Sequence, residues 1–367
     1  MSSLFSLVLC AYLLELYFYT QSPSTNYVDR KWSRLETVLS LRDSGIDAQP
    51  SYSPQTLLTD FHTQHGFLPA GRISNVSTVV CNELGTPLIY KSDKYGFSNP
   101  PGTWEMDETD IMVVGDSNAQ GWCVKPSQSY AGILRSKGLS VNNLGIAGNG
   151  PLLMLASLKE YIEKISPKVV FWFHYEGNDL DDLQIEKNNS LLQRYLLEPD
   201  YRQNILSKQE KIDSVLRDDV NNYIDNFEAI QLERQYRFTD FISLNNVQQF
   251  CARLRVTEQK MDLLRDIYLE ANRTSKQHGS DFVLVYLPTS STKRYRMRMD
   301  PYLERIRQFA QQNSIPFINI LDQFEASGIA DTIYGENLVN VNDAAHYSVE
   351  GYSLLSESLL QYINADK

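Results

Sequence analysis

The sequence predicts an α/β protein, a three-layer sandwich in which helices cover both faces of a five-stranded, mainly parallel sheet, with a helical insertion. Three observations carry this expectation. Short apolar runs alternate with longer stretches that are apolar on one face at helical spacing, the pattern of a parallel sheet between helices. The chain has 367 residues, enough for one large domain with insertions or for two domains, because single cores stop growing at roughly 250 to 300 residues. Its composition, 42% apolar and 22% charged with 18 Gly and 14 Pro, is that of a globular protein with a real core, not of a collagen-like, low-complexity or disordered chain.

Residues 1–22 form a first segment. Within it Leu4–Tyr19 carries a single ionisable residue, Glu15, and Arg30, Lys31 and Arg34 follow. At 16 residues the run is shorter than the roughly 20 that span a bilayer as a helix, and its positive charges come after it. We read it as an anchor or signal segment, with a buried helix as the alternative. Residues 23–108 are expected to form an extension packing on the core. They hold a helix over Asp29–Ser44, turn-rich sequence around Pro50, Pro54, Gly66, Pro69 and Gly71, and short strands at Ser77–Cys81 and Pro87–Tyr90. Asn99-Pro100-Pro101-Gly102 marks their end.

Residues 109–367 carry the regular alternation. Strands are expected at Asp110–Val114, Ser140–Ile146, Lys168–Tyr175, Asp281–Leu287 and Pro316–Ile320. The helices between and after them are Ser129–Lys137, Pro151–Ile165, Val256–His278, Pro301–Asn313 and Val349–Ile363. The stretch from about residue 183 to 255 is too long for one crossover and reads as a helical insertion.

Charge and composition exclude several functions. Lys plus Arg is 34 against 45 Asp plus Glu, a formal charge of -11, so the chain repels phosphate backbones and no nucleic-acid partner is expected. The four cysteines, Cys10, Cys81, Cys123 and Cys251, form no C-x-x-C pair, and the five histidines form no H-E-x-x-H pattern. No metal and no cofactor is expected. The glycine cluster that a dinucleotide fold needs after its first strand, in the order G-x-G-x-x-G, follows the second strand here as G-x-x-G-x-G.

Four short blocks carry chemistry. Gly115-Asp116-Ser117 follows the first strand of the regular region, so Ser117 lies just beyond a strand's carboxyl end, where open parallel sheets place their sites. By itself the tripeptide is also ordinary turn composition. Gly145 to Gly150 follows the second strand and leaves backbone N–H groups bare around Gly148, as a tight turn, a phosphate site or an oxyanion site requires. Asn178 follows the third strand, where its amide either faces a cleft or caps an Asx-turn. The neighbouring Asp179, Asp181 and Asp182 read as a solvated, helix-capping loop. Asp343 and His346 precede the last helix at a spacing that lets the carboxylate hold one ring nitrogen protonated and leave the other free to accept a proton.

In the order Ser117, Gly148, Asn178, Asp343 and His346, the blocks resemble the SGNH subgroup of GDSL-type serine hydrolases, over roughly residues 85 to 363. The resemblance implies a flavodoxin-like SGNH hydrolase fold. It implies that Ser117 is the nucleophile, His346 the base and Asp343 its orienting acid, with an oxyanion hole made by the N–H of Ser117, the N–H of Gly148 and the side-chain amide of Asn178. Two positions depart from the family pattern: Asn118 stands where leucine is usual, and Glu176 where the third block has its first glycine. The α/β hydrolase elbow G-x-S-x-G is absent, since its fifth position is Ala119.

Cys81-Asn82-Glu83, the run Tyr90 to Phe97, Gly148-Asn149-Gly150-Pro151 and Glu176 to Leu180 look like bacterial SGNH proteins associated with surface polysaccharide synthesis. That resemblance implies an esterase that removes acyl groups, acetyl in preference, from a carbohydrate or polysaccharide. The alternatives are an O-acyltransferase using the same triad and a polysaccharide-assembly protein without turnover. It also implies membrane association through residues 4–19, with the catalytic domain extracytoplasmic, periplasmic or at the cell surface; secreted and cytoplasmic locations are the alternatives. Outside the cytoplasm Cys81 and Cys123 would either pair or remain two buried thiols.

Overall fold

The computed structural model describes residues 2–21, 26–58, 61–81, 86–227, 241–244, 247, 258–289, 293–327 and 346–365. Five strands, β4 (Thr109–Val114), β5 (Val141–Asn143), β6 (Pro167–Tyr175), β7 (Asp281–Leu287) and β8 (Phe317–Asn319), lie in the order β5-β4-β6-β7-β8, and every neighbouring pair is parallel. Helices Tyr130–Ser136, Pro151–Ile165, Glu258–Gln277 and Lys293–Gln312 precede β5, β6, β7 and β8, and Val349–Ala365 closes the chain's regular structure.

The period of two along each strand explains the three layers. Met112 and Val114 of β4, Val170 and Trp172 of β6, and Phe282, Leu284 and Tyr286 of β7 face one core, which the helices Pro151–Ile165, Glu258–Gln277 and Lys293–Gln312 complete. The intervening Ile111, Val113, Phe171, Phe173, Val283 and Val285 face a second core with Tyr130, Leu134, Tyr352 and Leu355. These residues are almost wholly buried, and each such aliphatic or aromatic side chain contributes about 1.5–3 kcal/mol relative to exposure.

Two elements differ from expectation. β5 spans only Val141–Asn143 of the expected Ser140–Ile146, although bonds to the β4 side continue past it: Leu144 N donates to Val113 O at 2.8 Å and Ile146 N to Gly115 O at 3.2 Å. The helix expected to start at Pro301 begins at Lys293 and runs through the proline. In the insertion, helices Asp179–Glu186, Ser190–Leu197 and Gln209–Asp225 send Leu183, Leu192, Tyr195, Ile212 and Leu216 into the first core. Tyr195 is therefore a core residue, its hydroxyl donating to Glu160 Oε1 at 2.5 Å.

Before the large sheet lies a small one. β1 (Ala48–Pro50) runs parallel to β2 (Ser77–Cys81), which pairs antiparallel with β3 (Leu88–Lys91). Leu57, Phe61, Phe67, Phe97 and Trp104 from residues 48–105 join the first core beside Met112. Cys81 and Cys123 are bonded, with their α-carbons 5.8 Å apart. The apolar N-terminal segment forms a helix, Ser2–Gln21, whose Glu15 is buried and accepts from Val247 N at 2.8 Å. Among the described residues no helix is long and apolar enough to cross a membrane.

The short helix Ser117–Gln120 crosses the chain beyond β5 so closely that a β-carbon on Gly145 would lie 2.4 Å from Gln120 N and 2.5 Å from Ala119 C. Backbone cannot step aside as a flexible side chain can. Gly145→Ala should therefore destabilise the fold by about 1–3 kcal/mol, as overpacking does, read as a lower urea midpoint at unchanged slope.

Candidate active site

The loops after β5, β4 and β6 share one edge because those strands are adjacent and parallel. They carry Gly148, Ser117 and Asn178 respectively. Ser117 opens the helix Ser117–Gln120, and Asp116 caps it, Asp116 Oδ1 accepting from Asn118 N at 2.9 Å. The Ser117 hydroxyl lies 3.0 Å from His346 Nε2 and donates to Asp116 Oδ2 at 3.3 Å. His346 arrives from the segment before the last helix, and the adjacent Tyr347 fixes it by donating its hydroxyl to Pro288 O at 2.8 Å, just beyond β7. A hydroxyl and a ring nitrogen at this distance can pass a proton. Asp343 lies outside the described residues.

Gly148 sits at φ +80°, and a β-carbon there would lie 2.2 Å from Ser53 Oγ. Ser53 Oγ itself donates to Gly148 O at 3.2 Å, so the extension presses the loop into shape. Asn178 stands at the N-cap of Asp179–Glu186, yet its side chain makes no capping bond, and Oδ1 is buried without a partner among the described residues. The Asx-turn alternative is thereby set aside. The amide is not used to hold the backbone.

The acidic residues after Asn178 are not the solvated loop their composition suggests. Asp179 is fully buried, with Oδ2 2.9 Å from His174 Nδ1 and accepting from Tyr175 N at 3.1 Å. Tyr302 OH lies 2.8 Å from the other ring nitrogen of His174. Burial pushes His174 down to about 3 and raises Asp179 well above the carboxylate range. Asp182, pushed up to about 6 by burial, accepts from Gln55 Nε2 at 3.0 Å. Glu176, in place of the family's glycine, ties the loop to the neighbouring strand: Oε2 accepts from Tyr286 OH and Oε1 from Thr289 N at 2.6 Å.

One contact had no sequence signal. The indole of Trp122 stacks on the His346 ring, with centroids 5.4 Å apart and planes 30° from parallel. A single tryptophan in a loop reads as any buried aromatic, and only the bond between Cys81 and Cys123, beside it, could have drawn attention to the position.

A model of the GDSL-like lipase/acylhydrolase family matches residues 111–359, more than half of the chain. The protein belongs to that family. It is accordingly an ester-bond hydrolase. No curated protein matches it. Among solved structures it is similar to a GDSL-like lipase from Bacteroides thetaiotaomicron, at 14% identity over 71% of this chain and 89% of that one, with a TM-score of 0.36. It is also similar to a psychrotrophic esterase from a Pseudoalteromonas species, at 12% identity, 70% and 97% coverage and a TM-score of 0.34. A family 3 carbohydrate esterase from Clostridium thermocellum matches at 14% identity, 70% and 94% coverage and a TM-score of 0.33.

Burial pushes Asp116 up to about 7, whereas an unfolded aspartate titrates near 3.9. Between those values the folded form binds more protons than the unfolded one, so this group's contribution to stability falls as pH rises through the window and levels off above it. Asp116→Asn has no such proton to lose. Urea unfolding at pH 4, 6 and 8 should show the variant gaining on the wild type as pH rises.

Proposed function

We propose that the protein is a serine esterase that removes acyl groups, acetyl in preference, from a carbohydrate or polysaccharide through an acyl-enzyme on Ser117. The observation that carries the reading is the 3.0 Å approach of Ser117 Oγ to His346 Nε2 at the carboxyl edge of the sheet. Ser117 Oγ attacks the ester carbonyl and gives its proton to His346 Nε2, while Asp343 holds the opposite ring nitrogen protonated. The tetrahedral oxygen takes N–H donors from Ser117, Gly148 and the Asn178 amide, the groups that stabilise the charge where it develops. His346 then protonates the leaving alcohol. Water, deprotonated by the same nitrogen, releases the acyl group.

The carbohydrate substrate follows from the motif likeness to proteins of surface polysaccharide synthesis. An extracytoplasmic location with membrane association through residues 4–19 is part of the same reading. Two features support it: the Cys81–Cys123 bond, which belongs to oxidising compartments, and the helix Ser2–Gln21, which exposes Leu7, Leu9, Leu13, Leu14 and Leu16.

Wild-type protein should be labelled by a fluorophosphonate serine probe and Ser117→Ala should not. Ser117→Ala and His346→Ala should each reduce ester turnover by about 10^3-fold or more. Acetate release from an acetylated oligosaccharide is the expected product; acetyl transfer to an added acceptor sugar with no free acetate would instead make the protein a transferase. Deleting residues 2–21 should move the protein from the membrane fraction to the supernatant of lysed cells, and recovery of the full chain in the supernatant would remove the membrane reading.

A further inference from the structure

The small sheet reaches the site at one point. β2 ends in Cys81, and its bond to Cys123 fixes the residue next to Trp122. Cys123 holds a left-handed backbone, φ +58°, that side-chain-bearing residues rarely adopt. Trp122 packs against the small core of Val80, Cys81, Tyr90 and Cys123 and also stacks on the His346 imidazole. Its backbone N–H donates to Ser117 O at 3.1 Å, so the same residue is tied to the serine as well.

We propose that Trp122, pinned by the Cys81–Cys123 bond, is a positioning residue for His346, helping to set the ring plane so that Nε2 faces Ser117 Oγ. The inference rests on the reading of His346 as the base. An imidazole on a loop can turn about two side-chain bonds, and a stacked indole removes that freedom. The charge that His346 takes up during attack also falls on an aromatic face, which favours a cation. Displacement of reacting groups by about 1 Å can cost as much as about 10^2-fold in rate.

The test uses the full chain, a fluorophosphonate probe and a small chromogenic acetyl ester. Trp122→Ala should lower the labelling rate and kcat by about tenfold or more with KM nearly unchanged, and Trp122→Phe should recover most of the loss. The pair Cys81→Ala and Cys123→Ala should lower both in the same direction, and adding Trp122→Ala to that pair should cost little more, since coupled residues are not additive. In wild-type NMR spectra the His346 ring protons should lie upfield under the indole and move downfield when the bond is removed, a reading that holds even if Trp122→Ala does not fold. Wild-type labelling and kcat in folded Trp122→Ala, multiplied losses in the triple variant, or unshifted His346 protons would overturn the proposal. A wild type that neither takes the probe nor cleaves the ester would instead overturn the esterase reading, with the NMR arm still deciding the stack.

Discussion

A hydroxyl beside an imidazole nitrogen is useful only while both stay in place, and Ser117 and His346 come from segments separated by 229 positions in the chain. Neither is held by its own loop. Ser117 stands at the start of a one-turn helix that Asp116 caps and that Gly145 lets approach the next loop. His346 directly precedes the Tyr347 tether to Pro288 and the helix Val349–Ala365, whose Tyr352 and Leu355 lie in the second core. The two meet because β4 and β7 flank β6 in one parallel sheet, which brings their carboxyl ends to one edge.

Behind this edge the protein buries a set of ionisable groups. His174 and Asp179 share a dry interior with Tyr302, and Asp116 and Glu176 are similarly covered. Charging any one of them alone would be expensive at that depth. Their hydrogen bonds to the backbone fix direction: Asp179 holds the turn after β6 through Tyr175 N, and Glu176 holds it to the end of β7. The turn so fixed carries Asn178, whose amide needs no backbone partner of its own. Rigid support of a polar side chain is what electrostatic stabilisation of a transition state requires, because no reorganisation is then left for the reaction itself.

How far the sequence was legible follows from which interactions are local. The strands β4, β6 and β7 announce themselves as apolar runs because they are buried on both faces, and the Ser117, Gly148 and Asn178 blocks follow the ends of β4, β5 and β6. β1 was not legible: Ala48–Pro50 is three residues long and its buried Gln49 amide contacts Ile73 O and Thr78 Oγ1, partners no local pattern reveals. Pro301 misled because a proline inside a helix removes one donor without forbidding the rest of the helix. Asp179 and Asp182 read as solvated because composition reports charge and not tertiary burial. Trp122 was silent for the same reason, as its meaning lies in a ring from the other end of the chain.

The extension, residues 23–108 by sequence, is more than a cover. Arg72 is fully buried and donates to Tyr52 O at 2.8 Å, to Tyr90 OH at 3.2 Å and to Gln120 Oε1 at 3.2 Å, none of them a carboxylate. A guanidinium held that way carries a desolvation cost of several kcal/mol, and among the described residues no ion pair offsets it. What it fixes is the oxygen of Gln120, which also accepts from Ala147 N at 2.9 Å, so one carboxamide spans the helix that Ser117 begins and the loop that Gly148 ends. Ser53 presses on that loop from outside, and Cys81 holds Trp122 over His346. Three contacts from the extension thus reach the serine, glycine and histidine blocks separately. A hydrolase sheet lacking these residues would keep its topology and lose the fixed spacing on which proton transfer and charge stabilisation depend.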